Sequence, residues 1–207
     1  MQSAEIELKF PVNDLTRLQA RLPGLGFQLD TPRTFEQNTL YDTPGRSLRQ
    51  SKQILRLRRY GDLWTLTHKR QPAPAAASDA SRYKVRIETE THVDDGPALA
   101  AIFEQLGYAP VFRYEKFRTE WSEFIDTSSA RGHLVLDETP IGIYAELEGP
   151  PAWIDRTLAA LAVNPGACIT DSYGKLFLTW KEATGSAAEH LTFDLIPALE
   201  VLDPALR

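Results

Sequence analysis

The chain has 207 residues, of which 43% are hydrophobic and 25% charged, and its formal net charge is -5. This composition is typical of an ordinary globular protein with a buried core, and the acidic balance excludes a nucleic-acid-coating surface, which needs a basic excess. Cys168 is the only cysteine, which excludes an internal disulfide and a multi-cysteine metal site. A reducing compartment suits such a chain. No secretory signal or membrane-length apolar run is visible, so we expect a cytoplasmic protein without membrane attachment.

The predicted elements are short alternating strands separated by amphipathic helices. In chain order the sequence predicts a strand over 5–9, a helix over 11–27, strands over 34–41, 53–60, 63–69 and 84–90, a helix over 94–106, strands over 114–121, 133–137 and 143–148, and helices over 151–162 and 171–181. The Pro/Ala/Ser-rich segment 71–81 predicts a flexible loop. Residues 187–202 are helix-like in pattern despite Pro197, so we expect one domain over 1–183 and a helical extension over 184–207.

Each strand alternates charged and apolar residues, as the first one illustrates. Glu5, Glu7 and Lys9 fall on one face of that strand, and Ile6 and Leu8 fall on the other. The charged faces of all the strands together carry two sets of residues: the cations Lys9, Arg56, Arg58, Lys69, Lys84, Arg86, Lys116 and Arg118, and the anions Glu5, Glu7, Glu88, Glu90, Glu120, Asp137, Glu146 and Glu148.

Two interpretations of this pattern are open: a solvated sheet face laced with salt bridges, or the charged interior of a barrel. The repetition over most strands favours the barrel, because buried charges are costly unless they pair or hold a ligand. The predicted fold is therefore α+β, an antiparallel β-barrel with helices packed outside it. Arginine and lysine clusters suit a polyphosphate, and carboxylates without His or Cys suit Mg²⁺ or Mn²⁺. The combination indicates metal-assisted chemistry on a di- or triphosphate.

The order of these motifs resembles the CYTH family, also called triphosphate tunnel metalloenzymes, over about residues 3–180. The matching motifs are Glu5-x-Glu7-x-Lys9, Gln37 with Tyr41-Asp42, Arg56-x-Arg58, Lys69, Arg86-x-Glu88-x-Glu90, Lys116-x-Arg118, Leu136-Asp137, Glu146-x-Glu148 and Ser172-Tyr173 with Lys175. Each motif is loose by itself, but their order and spacing together are specific. The segment 71–81 and the tail after Lys181 lie outside the common pattern.

The resemblance implies an eight-stranded tunnel that holds a triphosphate among cations, with one or two Mg²⁺ or Mn²⁺ ions on carboxylates, and a possible homodimer. The implied metal ligands are Glu5, Glu7, Asp137, Glu146 and Glu148. The implied phosphate ligands are Lys9, Arg56, Arg58, Lys69, Arg86, Lys116, Arg118 and Lys175. The residues predicted to act in catalysis are Glu5, Glu7, Lys9 and Lys69.

Three functions remain open at this stage. The first is a metal-dependent hydrolase of tripolyphosphate, thiamine triphosphate or a nucleoside triphosphate, in which water attacks the terminal phosphorus. The second is a class IV adenylyl cyclase, in which the ribose 3′-hydroxyl of ATP attacks the α-phosphorus and pyrophosphate leaves. The third is a non-catalytic module that binds polyphosphate or nucleotide. The sequence indicates no adenine pocket: Trp64 and Trp153 are predicted core residues, and His68 is assigned no catalytic role.

Overall fold

The structure is a computed structural model that describes residues 2–72, 82–124 and 131–196. The predicted loop over 71–81 falls mostly outside these residues, as does the end of the predicted tail. Eight strands are present: β1 (Gln2–Pro11), β2 (Gln28–Asp42), β3 (Ile54–Tyr60), β4 (Leu63–Arg70), β5 (Lys84–Val93), β6 (Ala109–Phe124), β7 (Arg131–Thr139) and β8 (Gly142–Glu148).

The strands form one closed antiparallel barrel in the order β1-β5-β4-β3-β2-β6-β7-β8, with β8 returning to β1. Every neighbouring pair is antiparallel. Closure leaves each strand with two hydrogen-bonded neighbours, and the period-two alternation of side chains then separates a lumen from an outer face. The predicted eight-stranded barrel is confirmed.

In the described part of the chain, the barrel is accompanied by five helices: α1 (Leu15–Arg21), α2 (Ser47–Gln50), α3 (Gly96–Gln105), α4 (Pro151–Leu161) and α5 (Tyr173–Thr184). Side chains cap three of them, because Asp14, Asp95 and Ser172 accept hydrogen bonds from backbone N–H groups in the first turns of α1, α3 and α5. Helix α1 is shorter than predicted, since Pro23 follows it and starts a short 3₁₀ turn. No helix in the described ranges is long and apolar enough to span a membrane.

Helix α2 was not predicted, and a single carboxylate organises it. Asp42 at the end of β2 accepts hydrogen bonds from the backbone N–H groups of Thr43, Leu48 and Arg49 at 2.7, 3.0 and 3.0 Å. These bonds hold the pKa of Asp42 below its ordinary value despite the opposing effect of burial. Asp42 of the Tyr41-Asp42 motif therefore has a structural role, because it holds the turn that leads into α2.

The helices cover the apolar outer face of the barrel in three places. Leu22 and the α4 residues Ile154 and Leu158 pack on Leu134 and Leu147 of the barrel. Helix α3 packs through Phe103 on the β2–β4 side, and α5 packs through Phe177 near Phe112 and Tyr114. The core thus lies between helices and barrel wall, which leaves the lumen to the charged residues. As predicted, Trp64 and Trp153 belong to these outer clusters.

The chain after α5 differs from the prediction over its described part. Residues 185–196 contain no helix, and Leu191 pairs instead with the edge of β6 through bonds to Arg113 and Glu115. Leu191 and Ile196 are buried against the α5 cluster. Burial of these two side chains favours an extended segment that follows the barrel, and the remainder of the predicted extension, 197–207, lies outside the described residues.

Candidate active site

A charged tunnel of about 380 Å³ runs through the barrel. Of the residues that the structure describes, seven cationic and eight carboxylate side chains line it: Lys9, Arg56, Arg58, Lys69, Lys84, Lys116 and Arg118, and Glu5, Glu7, Asp30, Glu88, Glu90, Glu120, Glu146 and Glu148. Most of the charged residues that alternate along the strands therefore line the tunnel. The two signs of charge are not evenly mixed, and three regions of the wall differ in character.

The first region is a group of three carboxylates, which we call the acidic triad: Glu5, Glu7 and Glu148. One carboxylate oxygen from each lies within 4.8 Å of the others. The barrel closure creates this proximity, since Glu7 of β1 is the register partner of Glu148 of β8. Each of the two β1 carboxylates already has one cation, Lys69 for Glu5 at 2.7 Å and Lys84 for Glu7. None of the ion pairs among the described residues includes Glu148.

The acidic triad brings together more carboxyl groups than the nearby lysines pair, since Lys69 and Lys84 contact only Glu5 and Glu7 of the three. Burial raises the pKa of Glu148 to about 8, and Glu5, Glu146 and Glu7 add to that rise against the opposing effect of Arg118. For Glu5, burial acts in the same direction, but Lys69 outweighs it and the pKa of that carboxyl is lowered. Three convergent carboxylates without His or Cys form a donor set for a hard divalent cation such as Mg²⁺ or Mn²⁺. The triad therefore fits the metal that the sequence predicted.

The second region is a buried ion-pair network around Asp137. Its carboxylate accepts from Lys116 Nζ at 2.8 Å, from Arg118 Nε and Nη2 at 2.7 Å each, and from the Tyr173 hydroxyl at 2.6 Å. Arg118 also donates to Glu146 at 2.8 Å. With four such bonds, Asp137 positions cations in this structure, and it lies outside the acidic triad.

Glu146 joins this network to the first strand. Lys9 Nζ lies 2.5 Å from Glu146 Oε1 and 4.2 Å from the centre of the Tyr173 ring. Although burial opposes ionisation of both groups, their attraction holds the pKa of Lys9 above and that of Glu146 well below the ordinary values. Asp137 and Glu146, two of the five predicted metal ligands, are thus placed among cations, while Glu5, Glu7 and Glu148 are brought together.

The third region contains Arg56 and Arg58 of β3. Arg56 donates to the Tyr114 hydroxyl at 3.3 Å and to Thr67 at 3.2 Å, and both arginines lie 3.5–3.8 Å from Glu90. The Nε atoms of both are nevertheless buried without a hydrogen-bond partner. A buried unsatisfied donor is costly. Both side chains nevertheless line the tunnel with part of their surface accessible, 12% for Arg56 and 19% for Arg58, so their guanidinium groups can contact an anionic ligand there.

A carboxylate that the sequence analysis missed lies beside this region. Glu36 of β2 is fully buried, 3.3 Å from Lys116 Nζ and 3.9 Å from Arg118 Nε, and it accepts from Asn38 Nδ2 at 2.8 Å. Burial opposes its ionisation, yet Lys116 and Arg118 lower its pKa to about 2. The sequence pattern had emphasised Gln37, which instead bonds Glu115 on the outer face. Only the cross-strand partner of Glu36, which is Lys116, reveals which face of β2 points inward.

The eight predicted phosphate ligands separate into two groups. Six of the eight line the tunnel: Lys9, Arg56, Arg58, Lys69, Lys116 and Arg118. The other two, Arg86 and Lys175, line a cleft that adjoins the tunnel. All four residues predicted to act in catalysis, Glu5, Glu7, Lys9 and Lys69, line the tunnel. His68 bonds Gln53 at 2.8 Å and does not line the tunnel.

The fold and this site define a class of protein: a closed antiparallel barrel whose lumen combines cations suited to phosphate with a carboxylate cluster suited to a metal. The CYTH domain model matches residues 3–148, most of the barrel, and the chain belongs to the CYTH family.

The individual proteins that this chain resembles share between 18% and 25% of its sequence. A Methanocaldococcus jannaschii protein named "Putative adenylate cyclase" is 25% identical over 145 residues, which cover 70% of this chain and 75% of the relative. A solved Pyrococcus horikoshii structure superposes with a TM-score of 0.67 at 21% identity, covering 85% of this chain and 99% of the other. A Hippeastrum protein described as having a dominant triphosphatase activity superposes with a TM-score of 0.58 at 18% identity, covering 87% and 96%. At 21% and 18% identity, the Pyrococcus horikoshii and Hippeastrum structures show a similarity of fold to this chain.

Proposed function

We propose that this protein is a divalent-metal-dependent phosphohydrolase of substrates that carry a triphosphate. The observation that carries the proposal is the position of the acidic triad in the same tunnel as Arg56 and Arg58, whose side chains line that tunnel and remain partly accessible. Metal ligands and anion donors on one continuous wall suit a metal-bound phosphate chain. Neither group alone would distinguish this protein from a simple ion-binding barrel.

The charge balance of the tunnel supports the requirement for a metal. Among the described residues, seven cationic side chains face eight carboxylates, so this part of the wall has no cationic excess with which to neutralise a triphosphate. A triphosphate alone would add several negative charges to a low-dielectric site. A divalent cation on Glu5, Glu7 and Glu148 would offset both the triad and the substrate.

The chain's own residues would then act through charge and position. Arg56 and Arg58 would bind phosphate oxygens with guanidinium donors, and Lys69 would add a point charge near Glu5. Asp137 would hold Lys116 and Arg118 in fixed directions. A bound metal would supply Lewis-acid polarisation of a phosphoryl oxygen. Pre-positioned positive charge around a phosphoryl group stabilises the charge that develops during transfer, which is the main contribution of proteins to this chemistry.

The second candidate function is an adenylyl cyclase of class IV. The Methanocaldococcus jannaschii relative, 25% identical over 145 residues, carries an adenylate cyclase name. The same tunnel could hold ATP, but the reaction would then need the ribose 3′-hydroxyl to reach the α-phosphorus. The two functions differ in their products, because a hydrolase releases orthophosphate and a cyclase releases pyrophosphate with cyclic AMP.

A product assay tests the proposal and separates the alternatives. Purified protein is incubated with Mg²⁺ or Mn²⁺ and tripolyphosphate, thiamine triphosphate or ATP, and orthophosphate, pyrophosphate and cyclic AMP are measured. We expect metal-dependent orthophosphate release that Glu148→Gln abolishes and that Glu104→Gln, an exposed control on α3, does not change. Cyclic AMP with pyrophosphate would favour the cyclase, and tight metal-dependent binding with every substrate intact would favour a binding module.

A further inference from the structure

One carboxylate beside the tunnel cations has no direct access to a ligand. Glu36 is fully buried and is not among the residues that line the tunnel, although its register partner on β6, Lys116, does line it. The Glu36 carboxylate lies 3.3 Å from Lys116 Nζ and 3.9 Å from Arg118 Nε. Because Glu36 does not reach the tunnel surface, its influence on a ligand there has to act through these two cations.

Glu36 belongs to a buried group of charged side chains, which we call the balanced group. Ion pairs of 2.5–3.9 Å connect its members, and at most 10% of any of these side chains is exposed. The members are three cations and three carboxylates: Lys9, Lys116 and Arg118, and Glu36, Asp137 and Glu146. The charges of the balanced group therefore cancel, and it presents no net charge to the tunnel.

Within the balanced group, Glu36 adds negative charge but does little to orient the cations. Asp137 and Glu146 contact them at 2.5–2.8 Å and accept hydrogen bonds from them, whereas the contacts of Glu36 are longer. The hydrogen bond that Glu36 accepts comes from Asn38 Nδ2 at 2.8 Å, and its Oε2 atom is buried without a hydrogen-bond partner in the described part of the chain. The cations would therefore stay in place without the Glu36 charge.

We propose that Glu36 is a specificity-determining residue, which makes the tunnel discriminate against a triphosphate that carries no metal. The inference rests on the proposed function, because it takes a triphosphate as the ligand of the tunnel. With Glu36 ionised, the balanced group gives a free polyanion no net attraction. A divalent cation offsets part of the charge of the ligand, so the metal complex enters a neutral wall at a lower electrostatic cost than the free anion does.

A purely structural role for Glu36 predicts a change of the opposite sign. If Glu36 only held Lys116 and Arg118 in position, its loss would loosen both cations and weaken the binding of every anion. If its charge is what matters, Glu36→Gln leaves the balanced group with one unopposed positive charge and strengthens the binding of a free polyanion. Glutamine keeps the volume of the side chain and an oxygen that can accept from Asn38, so the substitution changes mainly the charge.

The test uses a ligand that resists hydrolysis, so that binding is measured without turnover. Diimidotriphosphate has NH groups in place of the bridging oxygens of tripolyphosphate. Calorimetry measures its Kd as the free anion in EDTA and as the metal complex in excess Mg²⁺. The matched control is Glu115→Gln, which removes the same charge from the outer face of the same strand pair, where Glu115 accepts hydrogen bonds from Gln37 and from the backbone N–H of Phe193. Circular dichroism melting checks that each protein is folded.

We expect Glu36→Gln to bind the free anion at least about tenfold more tightly than the wild type, because one buried unit charge acts on a multiply charged ligand. The Kd for the Mg²⁺ complex should change by less than about threefold, and Glu115→Gln should change neither constant. A tighter Kd together with a lower Tm is an outcome that a merely structural role does not produce. Glu36→Asp, which keeps the charge, should retain the wild-type ratio of the two constants.

A double variant tests the same idea if Glu36→Gln does not fold. Glu36→Gln with Lys116→Gln removes one charge of each sign, so it leaves no unopposed charge in the buried group. Its Kd for the free anion should lie within about threefold of the wild-type value. Binding more than about tenfold weaker would show that Lys116 contacts the ligand directly and would overturn the inference.

Three results from the single variants would also overturn it. The first is weaker or unchanged binding of the free anion by folded Glu36→Gln, which includes the case that no protein binds it. The second is equal tightening by Glu115→Gln, and the third is equal tightening for the free anion and its Mg²⁺ complex. Since these readouts are binding constants of an analogue that is not hydrolysed, absence of turnover in the product assay would refute the hydrolase and leave this result valid.

Discussion

Asp137 provides the sharpest test of how charges are divided along the tunnel. The structure gives it four hydrogen bonds from Lys116, Arg118 and Tyr173 and leaves it outside the acidic triad. If its role is to position these cations, Asp137→Asn should destabilise the fold and affect metal binding only slightly. If it is a metal ligand, as the family resemblance implies, the substitution should weaken metal binding strongly and change the stability of the fold only slightly.

The expected magnitude follows from the bonds. Asn keeps the volume of Asp137 and one acceptor oxygen. Its amide nitrogen, however, replaces the Oδ2 atom, which in the wild type accepts hydrogen bonds from Lys116, Arg118 and Tyr173. Breaking a buried ion pair by removing one partner costs about 3–5 kcal/mol. Glu36 and Glu146 remain near the same cations, so we expect the low end, about 3 kcal/mol. For a chain of this size that corresponds to a Tm lower by about 6–12 °C.

Two measurements on matched variants decide between the roles. Urea unfolding and thermal melting of the metal-free protein give the free energy of unfolding for the wild type, Asp137→Asn and Glu148→Gln. Titration with Mn²⁺ followed by electron paramagnetic resonance gives the metal affinity of the same three proteins. Glu148→Gln should lower the Mn²⁺ affinity at least about tenfold without lowering the Tm, because loss of even an outer-shell partner of a metal ligand typically costs about 10–100-fold. The reasoning is refuted if Asp137→Asn leaves the stability unchanged and weakens Mn²⁺ binding as much as Glu148→Gln does.

Three further predictions concern the tunnel and the core. Arg58→Ala should raise the KM for tripolyphosphate at least about tenfold, since a charged hydrogen bond contributes about 1.5–3 kcal/mol, whereas Arg59→Ala on the outer face should not; equal effects in steady-state assays would contradict the tunnel assignment. The lowered pKa of Glu36, about 2 against 4.5, implies that its ionisation contributes about 3 kcal/mol of stability above pH 4.5, which is lost as the pH falls toward 2. Glu36→Gln should therefore be less stable than the wild type at neutral pH. Urea unfolding at stepwise lower pH should show the difference in the free energy of unfolding between the two proteins shrinking below pH 4.5, and a difference that stays constant would contradict this role of Glu36. Gly132→Ala should cost about 1–3 kcal/mol through overpacking, because a Cβ there would lie 2.0 Å from the buried Trp153 ring; an unchanged Tm would mean that the ring can move aside.

The architecture was readable from the sequence because it depends on a local periodicity. Alternation at Glu5, Glu7 and Lys9 assigns faces within one strand without any knowledge of the neighbours. Repetition of the pattern on most strands, together with apolar stripes on the helices, then favoured a charged lumen with helices outside over a solvated sheet face. The near absence of cysteine and the lack of clustered histidine also restricted any metal to oxygen ligands.

The face of β2 could not be read in the same way. The strand has register shifts between Leu29 and Thr31, between Thr31 and Thr34, and between Leu40 and Tyr41, and polar residues occupy both faces. A shift of one residue inverts which side chains point inward. Pairing of Glu36 with Lys116 on β6 determines the inward face, and that pairing joins residues far apart in the chain.

The division of the carboxylates was likewise decided by the tertiary structure. The sequence placed Glu5, Glu7, Asp137, Glu146 and Glu148 on charged faces and treated them as equivalent oxygen ligands. Barrel closure sets β8 beside β1, which brings Glu148 to Glu7, and none of the ion pairs in the described part of the chain includes Glu148. The β6–β7 pairing instead sets Asp137 against Arg118. Electrostatic energy depends on distance and burial. Local sequence therefore determined which residues carry charge into the tunnel, and only the strand register determined which of them repel, which of them pair, and where a metal fits.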